Sequence, residues 1–177
     1  LAHATGYDRV SFRAYPEREI DPHAWQQYLH LLERRQRGEP IAYLTGQRGF
    51  MDFVLEVDHR VLIPRPETEH LIEAALQTPA HQILELGTGS GCVAIALARA
   101  KPKALIDAVD CSADALAVAG ANAHRLGAHN IRFVEGSWYA SLGDSRYDLI
   151  ISNPPYIGDD EPEPDLGDAR FEPRIAL

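Results

Sequence analysis

Asn153-Pro154-Pro155-Tyr156 is the stretch whose residue types and spacing could most directly do chemistry. Two consecutive prolines fix φ twice, so the loop loses little entropy on ordering. The Asn153 side-chain oxygen and the Pro154 backbone carbonyl can each accept a hydrogen bond. Together they match the two hydrogens of one planar –NH₂ group. The nitrogen lone pair is then the free direction and can be aimed at an electrophile, while Tyr156 offers a flat face to a conjugated target. Such a site works by positioning, with acceptors on both hydrogens favouring charge that develops on nitrogen. A bland turn is the competing reading of the same four residues.

A second cluster is Gly87-Thr88-Gly89-Ser90-Gly91, with Glu85 just before it and Asp110 23 residues after Gly87. Glycines between a strand and a helix permit a tight turn and a close backbone approach to a ligand. An acid at the end of the next strand can accept from both hydroxyls of a ribose. A phosphate-binding loop needs Gly-Lys-Ser/Thr, but Gly91 precedes Cys92-Val93; a dinucleotide fingerprint needs a glycine where Cys92 stands. What remains resembles the first motif of the Rossmann-like methyltransferases, which bind S-adenosylmethionine. That cofactor has ribose and a carboxylate but no phosphate, so no lysine is required, and its sulfonium is already an activated methyl donor. The structural alternatives are glycines used only for packing and an Asp110 that only caps the next helix. Trp138 follows the third strand, either as an ordinary aromatic or with its ring near an adenine. Cys92 and Cys111 read as packing residues, since neither has a histidine partner. The eight histidines show no ligand spacing, so no metal site is expected.

The elements that must hold these residues alternate β and α from residue 81 onward. Strands are expected at 83–86, 104–109, 131–134 and 148–152, and helices at 92–100 and 113–126. That pattern implies a parallel, doubly wound sheet with its site at the strands' carboxyl ends, where the interesting turns can converge on one crevice. Before it, Asp21-Pro22 starts a helix whose face is Trp25, Tyr28, Leu29 and Leu32 and which Gly38 stops. Residues 1–45 therefore form part of a small helical unit, too short to bury much core alone. Gly46 to Gly49 reads as a turn, with strands over Phe53–Val57 and Val61–Ile63 making a hairpin across 46–63. Pro64-Arg65-Pro66 is a stiff connection to a helix at 67–77 that Thr78-Pro79 ends. The chain thus divides into a helical unit over 1–45, a hairpin linker over 46–66 and a catalytic unit over 67–177.

The 177 residues are 45% hydrophobic and 24% charged, which excludes wholesale disorder. Seventeen basic against 26 acidic side chains give a net charge of −9, which disfavours broad nucleic-acid binding. Six of the acids crowd into 159–168 with no base among them, a solvated loop or an electrostatic lip for a basic partner. Two cysteines suit a reducing compartment, and no apolar run approaches a membrane span. The first residue is Leu1, and the expectation is a fragment of a cytosolic protein.

With these residues in view, the chain resembles the HemK/PrmC family, the glutamine methyltransferases that modify peptide-chain release factors. The resemblance is carried by Gly38-Glu39-Pro40-Ile41-Ala42-Tyr43-Leu44-Thr45-Gly46, Leu62-Ile63-Pro64-Arg65-Pro66-Glu67-Thr68-Glu69, the 84–91 loop, Asp110, Trp138, Ser152 to Ile157 and Phe171-Glu172-Pro173-Arg174. It implies a Rossmann-like α/β methyltransferase sheet after a small helical domain and a hairpin. It implies S-adenosylmethionine as cofactor, S-adenosylhomocysteine as product, and class-1 release factors as partners recognised with help from the helical domain. The target is the side-chain amide of the glutamine in the Gly-Gly-Gln loop. Glu85, Gly87, Thr88, Gly89, Ser90, Gly91, Asp110, Trp138 and Asn153 are assigned to the cofactor; Asn153, Pro154, Pro155 and Tyr156 hold the glutamine, with Asn153, Pro154 and Tyr156 catalytic. Arg65, Pro66 and Glu67 either close over the cofactor or leave Arg65 and Glu67 paired on a surface turn. Two departures stand out. Ser137 occupies a position where the family often has an acid for the adenine amino group. The family's sheet also continues past Leu177, so the 148–152 strand is expected at an unprotected edge; activity is expected of the whole protein, with an inactive fragment as the alternative for these residues alone. Another Asn-Pro-Pro-Tyr methyltransferase, acting on ribosomal-protein glutamine or on adenine, and a non-catalytic cofactor-binding module remain the alternatives.

Overall fold

The computed structural model describes residues 1–156 and 167–177. Ile157 and the acidic run as far as residue 166 lie outside the described residues. The chain opens with α1 (Ala2–Thr5), α2 (Arg9–Ala14), α3 (Pro22–Gln36) and α4 (Ile41–Thr45). Asp21 caps α3 by accepting from the N–H groups of His23 and Ala24 at 2.9 and 3.1 Å, beside proline at the first helical position. No residue of α3 is buried, and Trp25 and Leu32 stay about 40% exposed, as follows for a unit too small to enclose its own apolar face.

A two-stranded antiparallel hairpin follows, β1 (Gln47–Phe50) and β2 (Phe53–Glu56). Its register corrects the sequence expectation: 47–50 is a strand and not the turn, and 61–63 is not a strand. The turn is Met51-Asp52, with Met51 at φ 48. This is a left-handed conformation that a glycine would have advertised. Glu69 steadies the turn by accepting the Met51 N–H at 3.1 Å. Val61 and Ile63 are apolar because they are buried in the core as irregular chain (1% and 5% exposed), not because they pair.

The remainder alternates β and α: α5 (Thr68–Gln77), β3 (Gln82–Leu86), α6 (Cys92–Ala100), β4 (Leu105–Asp110), α7 (Ala113–Arg125), β5 (Ile131–Glu135) and β6 (Leu149–Ser152). Two 3₁₀ turns, 167–171 and 174–176, close the chain. The four strands pair in parallel in the order β5-β4-β3-β6. The order reverses at β3, whose neighbours β4 and β6 lead in opposite directions, so the switch point of this sheet lies between β3 and β6. Leu86 pairs with Val109 on one side and Ser152 on the other, and Asp110 pairs with Glu135. The carboxyl ends of all four strands are thereby level. The main core unites Ile83, Ile106, Ala108 and Ile151 of one sheet face with α5, α6, α7 and the hairpin. The other face carries a small cluster of Leu84, Leu86, Val109 and Leu142. No helix among the described residues is long and apolar enough to cross a membrane.

Candidate functional site

A cavity of about 280 Å³ lies at the level carboxyl ends of the strands. The 87–91 loop forms its floor. Gly87, Gly89 and Gly91 all have positive φ (75, 55 and 83), which an L side chain resists. They serve different ends. A Cβ on Gly91 would meet Ala119 and Ile95 at 3.1 Å, so this glycine lets α6 pack on α7 and does not border the cavity. Gly87 and Gly89 do border it, and a Cβ on Gly89 would meet nothing within 4 Å.

Glu85 braces the loop from below. It is 3% exposed and accepts the Thr88 hydroxyl at 2.7 Å and the Ala94 N–H at 3.1 Å, tying β3, the loop and the first turn of α6 together. Burial pushes its carboxyl up to about 8. The Cys92 thiol beside it is pushed up to about 12, by desolvation first and the Glu85 charge second, so it stays a thiol at neutral pH. Asp110, at the end of β4, accepts the Gly89 N–H at 2.8 Å through Oδ2 and the Ser112 N–H at 3.0 Å through Oδ1. Each carboxylate oxygen keeps a further lone pair for a ligand in the cavity. Trp138 also borders the cavity; it takes φ 52 and is 55% exposed.

On the opposite wall, Asn153, Pro154 and Pro155 follow β6. Ser152 fixes their start by donating its hydroxyl to the Leu86 carbonyl at 2.9 Å, one residue before the glycine loop. The Asn153 carbonyl would stand 4.0 Å from a Cβ on Gly87. Asn153 Nδ2 lies 3.5 Å from the Thr68 hydroxyl, and Asn153 Oδ1 accepts the Tyr156 hydroxyl at 3.2 Å. Tyr156 is 77% exposed and does not line the cavity; it caps Asn153 from outside. The structure thus brings Glu85, Gly87, Thr88, Gly89, Ser90, Asp110, Trp138, Asn153, Pro154 and Pro155 to one cavity, with Gly91 and Tyr156 just behind its walls.

Sequence reasoning assigned no role to several residues that shape this site. Thr68 is 6% exposed and steers the Asn153 amide. Arg65, expected either to close over the cofactor or to pair with Glu67, borders the cavity and pairs with Glu172 at 2.6 Å. Asn122 on α7 is fully buried and fully used: it exchanges hydrogen bonds with both backbone groups of Glu56 at 2.8 and 2.9 Å, and donates to the Ser90 carbonyl at 3.1 Å. It clamps β2, 66 residues before it, to the glycine loop, 32 residues before it. A polar residue on an apolar helix face was the one available signal for it.

The cavity suits S-adenosylmethionine in its donor set. An acid with free lone pairs stands at the strand end that a ribose requires, glycines without Cβ atoms leave the floor open, and no cationic phosphate grip is built into the loop.

Residues 66–172 match the family described as Methyltransferase small domain, and residues 1–46 match the PrmC N-terminal domain. Among curated relatives, a release factor glutamine methyltransferase of Salmonella typhimurium is 45% identical over the whole of this chain and 65% of its own length. One of the same name from Escherichia coli is 44% identical with the same coverage. The chain therefore spans about 65% of the length of these relatives. Among solved structures, a ribosomal protein L11 methylase from Lactobacillus delbrueckii subsp. bulgaricus aligns with a TM-score of 0.46 at 27% identity, over 54% of this chain and 50% of that one. A family match over more than half its residues, laid on a parallel sheet with a glycine loop at its switch point, places the chain in the methyltransferase small domain family, whose cofactor is S-adenosylmethionine.

Proposed function

We propose that the full-length protein methylates the side-chain amide nitrogen of the glutamine in the Gly-Gly-Gln motif of class-1 peptide chain release factors, in the cytoplasm. The observation that carries this reading is the position of Asn153 and Pro154 on the cavity wall facing the glycine loop and Asp110. The names of the 45% and 44% identical relatives and the match of residues 1–46 support the choice of target.

When bound, S-adenosylmethionine supplies a methyl group carried on a positively charged sulfur. The chain's own residues do the rest by holding groups in place. Asp110 takes the ribose hydroxyls on the lone pairs its backbone partners leave free. Asn153 Oδ1 has one lone pair engaged by Tyr156 and one available, and it takes one hydrogen of the incoming carboxamide. The Pro154 carbonyl takes the other. The amide nitrogen, whose lone pair is delocalised in the ground state, becomes more nucleophilic as both acceptors draw on its hydrogens. The prolines keep the two acceptors from drifting apart. No side chain needs to act as nucleophile, and the spare proton leaves to water.

The test is mass spectrometry of purified release factor after incubation with the full-length protein and cofactor. A single added methyl on the Gly-Gly-Gln glutamine is expected. A methyl group found instead on ribosomal protein or on DNA adenine overturns the choice of target.

A further inference from the structure

Two stretches far apart in the chain, 62–65 and 173–176, supply one flank of the cavity through Leu62, Pro64, Arg65, Pro173, Ile175 and Ala176. Glu172 lies between them with its side chain 1% exposed. Its Oε2 accepts the Ile63 backbone N–H at 3.0 Å, and its Oε1 accepts the Arg65 guanidinium at 2.6 Å. A carboxylate taken out of water is tolerated only when its oxygens are matched by donors, and here each oxygen has one. The backbone on both sides of the tie is stiff. Pro64 and Pro66 bracket Arg65, and Pro173 follows Glu172. A pull on the carboxylate therefore reaches the walls instead of being absorbed by loose chain. Glu172 lines neither the glycine loop nor the Asn153 wall, so it touches no reacting atom.

We propose that Glu172 is a positioning residue: it latches the Pro64–Arg65 wall onto the wall at 173–176 and so sets how fast cofactor leaves the cavity. The latch rests on the reading of this cavity as the S-adenosylmethionine site. Glu172→Gln keeps an acceptor for the Ile63 N–H but loses the charge that holds Arg65. Arg65→Met removes the other partner from a side chain that is 41% exposed, where folding is least at risk.

The experiment is surface plasmon resonance of S-adenosylhomocysteine on the full-length protein, run beside thermal melts. Each single variant is expected to release the product about tenfold faster with little change in association. The double variant should be no worse than either single, because both changes open the same tie. Wild-type protein that fails to bind S-adenosylhomocysteine overturns the reading of the cavity, and the latch with it. Wild-type binding combined with unchanged release in Arg65→Met and Glu172→Gln overturns the latch alone, and a lowered melting temperature in those variants would then mark Glu172 as purely structural.

Discussion

Asn153 has two tasks that its side chain divides between its ends. Its oxygen faces the Tyr156 hydroxyl and, in the proposed reaction, the target amide; its nitrogen is steered by Thr68. Asn153→Ala removes the acceptor without touching the floor of the cavity. Methyl transfer to release factor in single-turnover assays should fall by about a hundredfold or more, while the affinity for S-adenosylhomocysteine stays within a few-fold of wild type. Equal losses in both would show that Asn153 mainly holds the cofactor. Glu85 makes a different prediction. Burial holds its folded carboxyl at about 8 against an ordinary 4.5. Between those values the unfolded chain sheds the proton and the native chain keeps it. Raising the pH through this window therefore lowers stability, and the loss levels off above about 8. Glu85→Gln removes the titration, so its stability from urea unfolding should change less than that of wild type between about pH 5 and about pH 8. Parallel pH profiles for the two proteins would show that Glu85 is ionised in the fold.

At the scale of elements, the site depends on ties between segments that are remote in the chain. Asn122 is the clearest case, since one amide joins β2, α7 and the glycine loop. Asn122→Leu would take their partner from the half-buried Glu56 N–H and carbonyl and from the buried Ser90 carbonyl. Urea unfolding should show a loss of about 3 kcal/mol, and a loss under about 1 kcal/mol would mean that water or a shifted strand replaces the amide. These ties also mark where sequence reading stops. The glycine loop, Asp110 and the proline-stiffened loop are legible because each performs its role within a few residues of a strand end. The strands and helices of the sheet are legible from apolar periodicity, to within a residue or two. The hairpin register is not, because its turn rests on a methionine in a left-handed conformation that Glu69 supports from 18 residues away. Nor are Asn122 and Glu172, whose partners are 66 and 109 residues distant and carry no local pattern.

At the scale of the whole molecule, the helical unit and the sheet differ in how they are held. α1, α2 and α3 bury no residue, whereas six of the nine residues of α6 are buried. α4 joins the core through Ala42, with Tyr43 donating to the Val61 carbonyl at 2.6 Å, whereas the outer helices are tethered at the end of α3, where Arg35 pairs with Asp168 at 2.9 Å and Arg170 donates to the Arg37 carbonyl at 2.5 Å. Exposed pairs of this kind contribute little to stability. Amide hydrogen exchange should therefore strip protection from α1 to α3 well before β3 and α6. Uniform protection across the chain would show that the two parts unfold together. For the proposed reaction on a release factor, a helical unit that opens cheaply can adjust to its target while the strand ends keep their geometry.

The chain has two tryptophans, and the fold has sent them to opposite duties. Trp138 stands at the mouth of the cavity, and Trp25 lies on α3 beside Tyr28, with ring centroids 5.3 Å apart. Both are partly wet, so the emission of each responds to what covers it. Replacing either one by phenylalanine leaves, in these 177 residues, one tryptophan that reports on one region: the cavity through Trp138, or the surface of α3 through Trp25. In the proposed reaction, cofactor and release factor can then be followed separately by light, without attaching any dye.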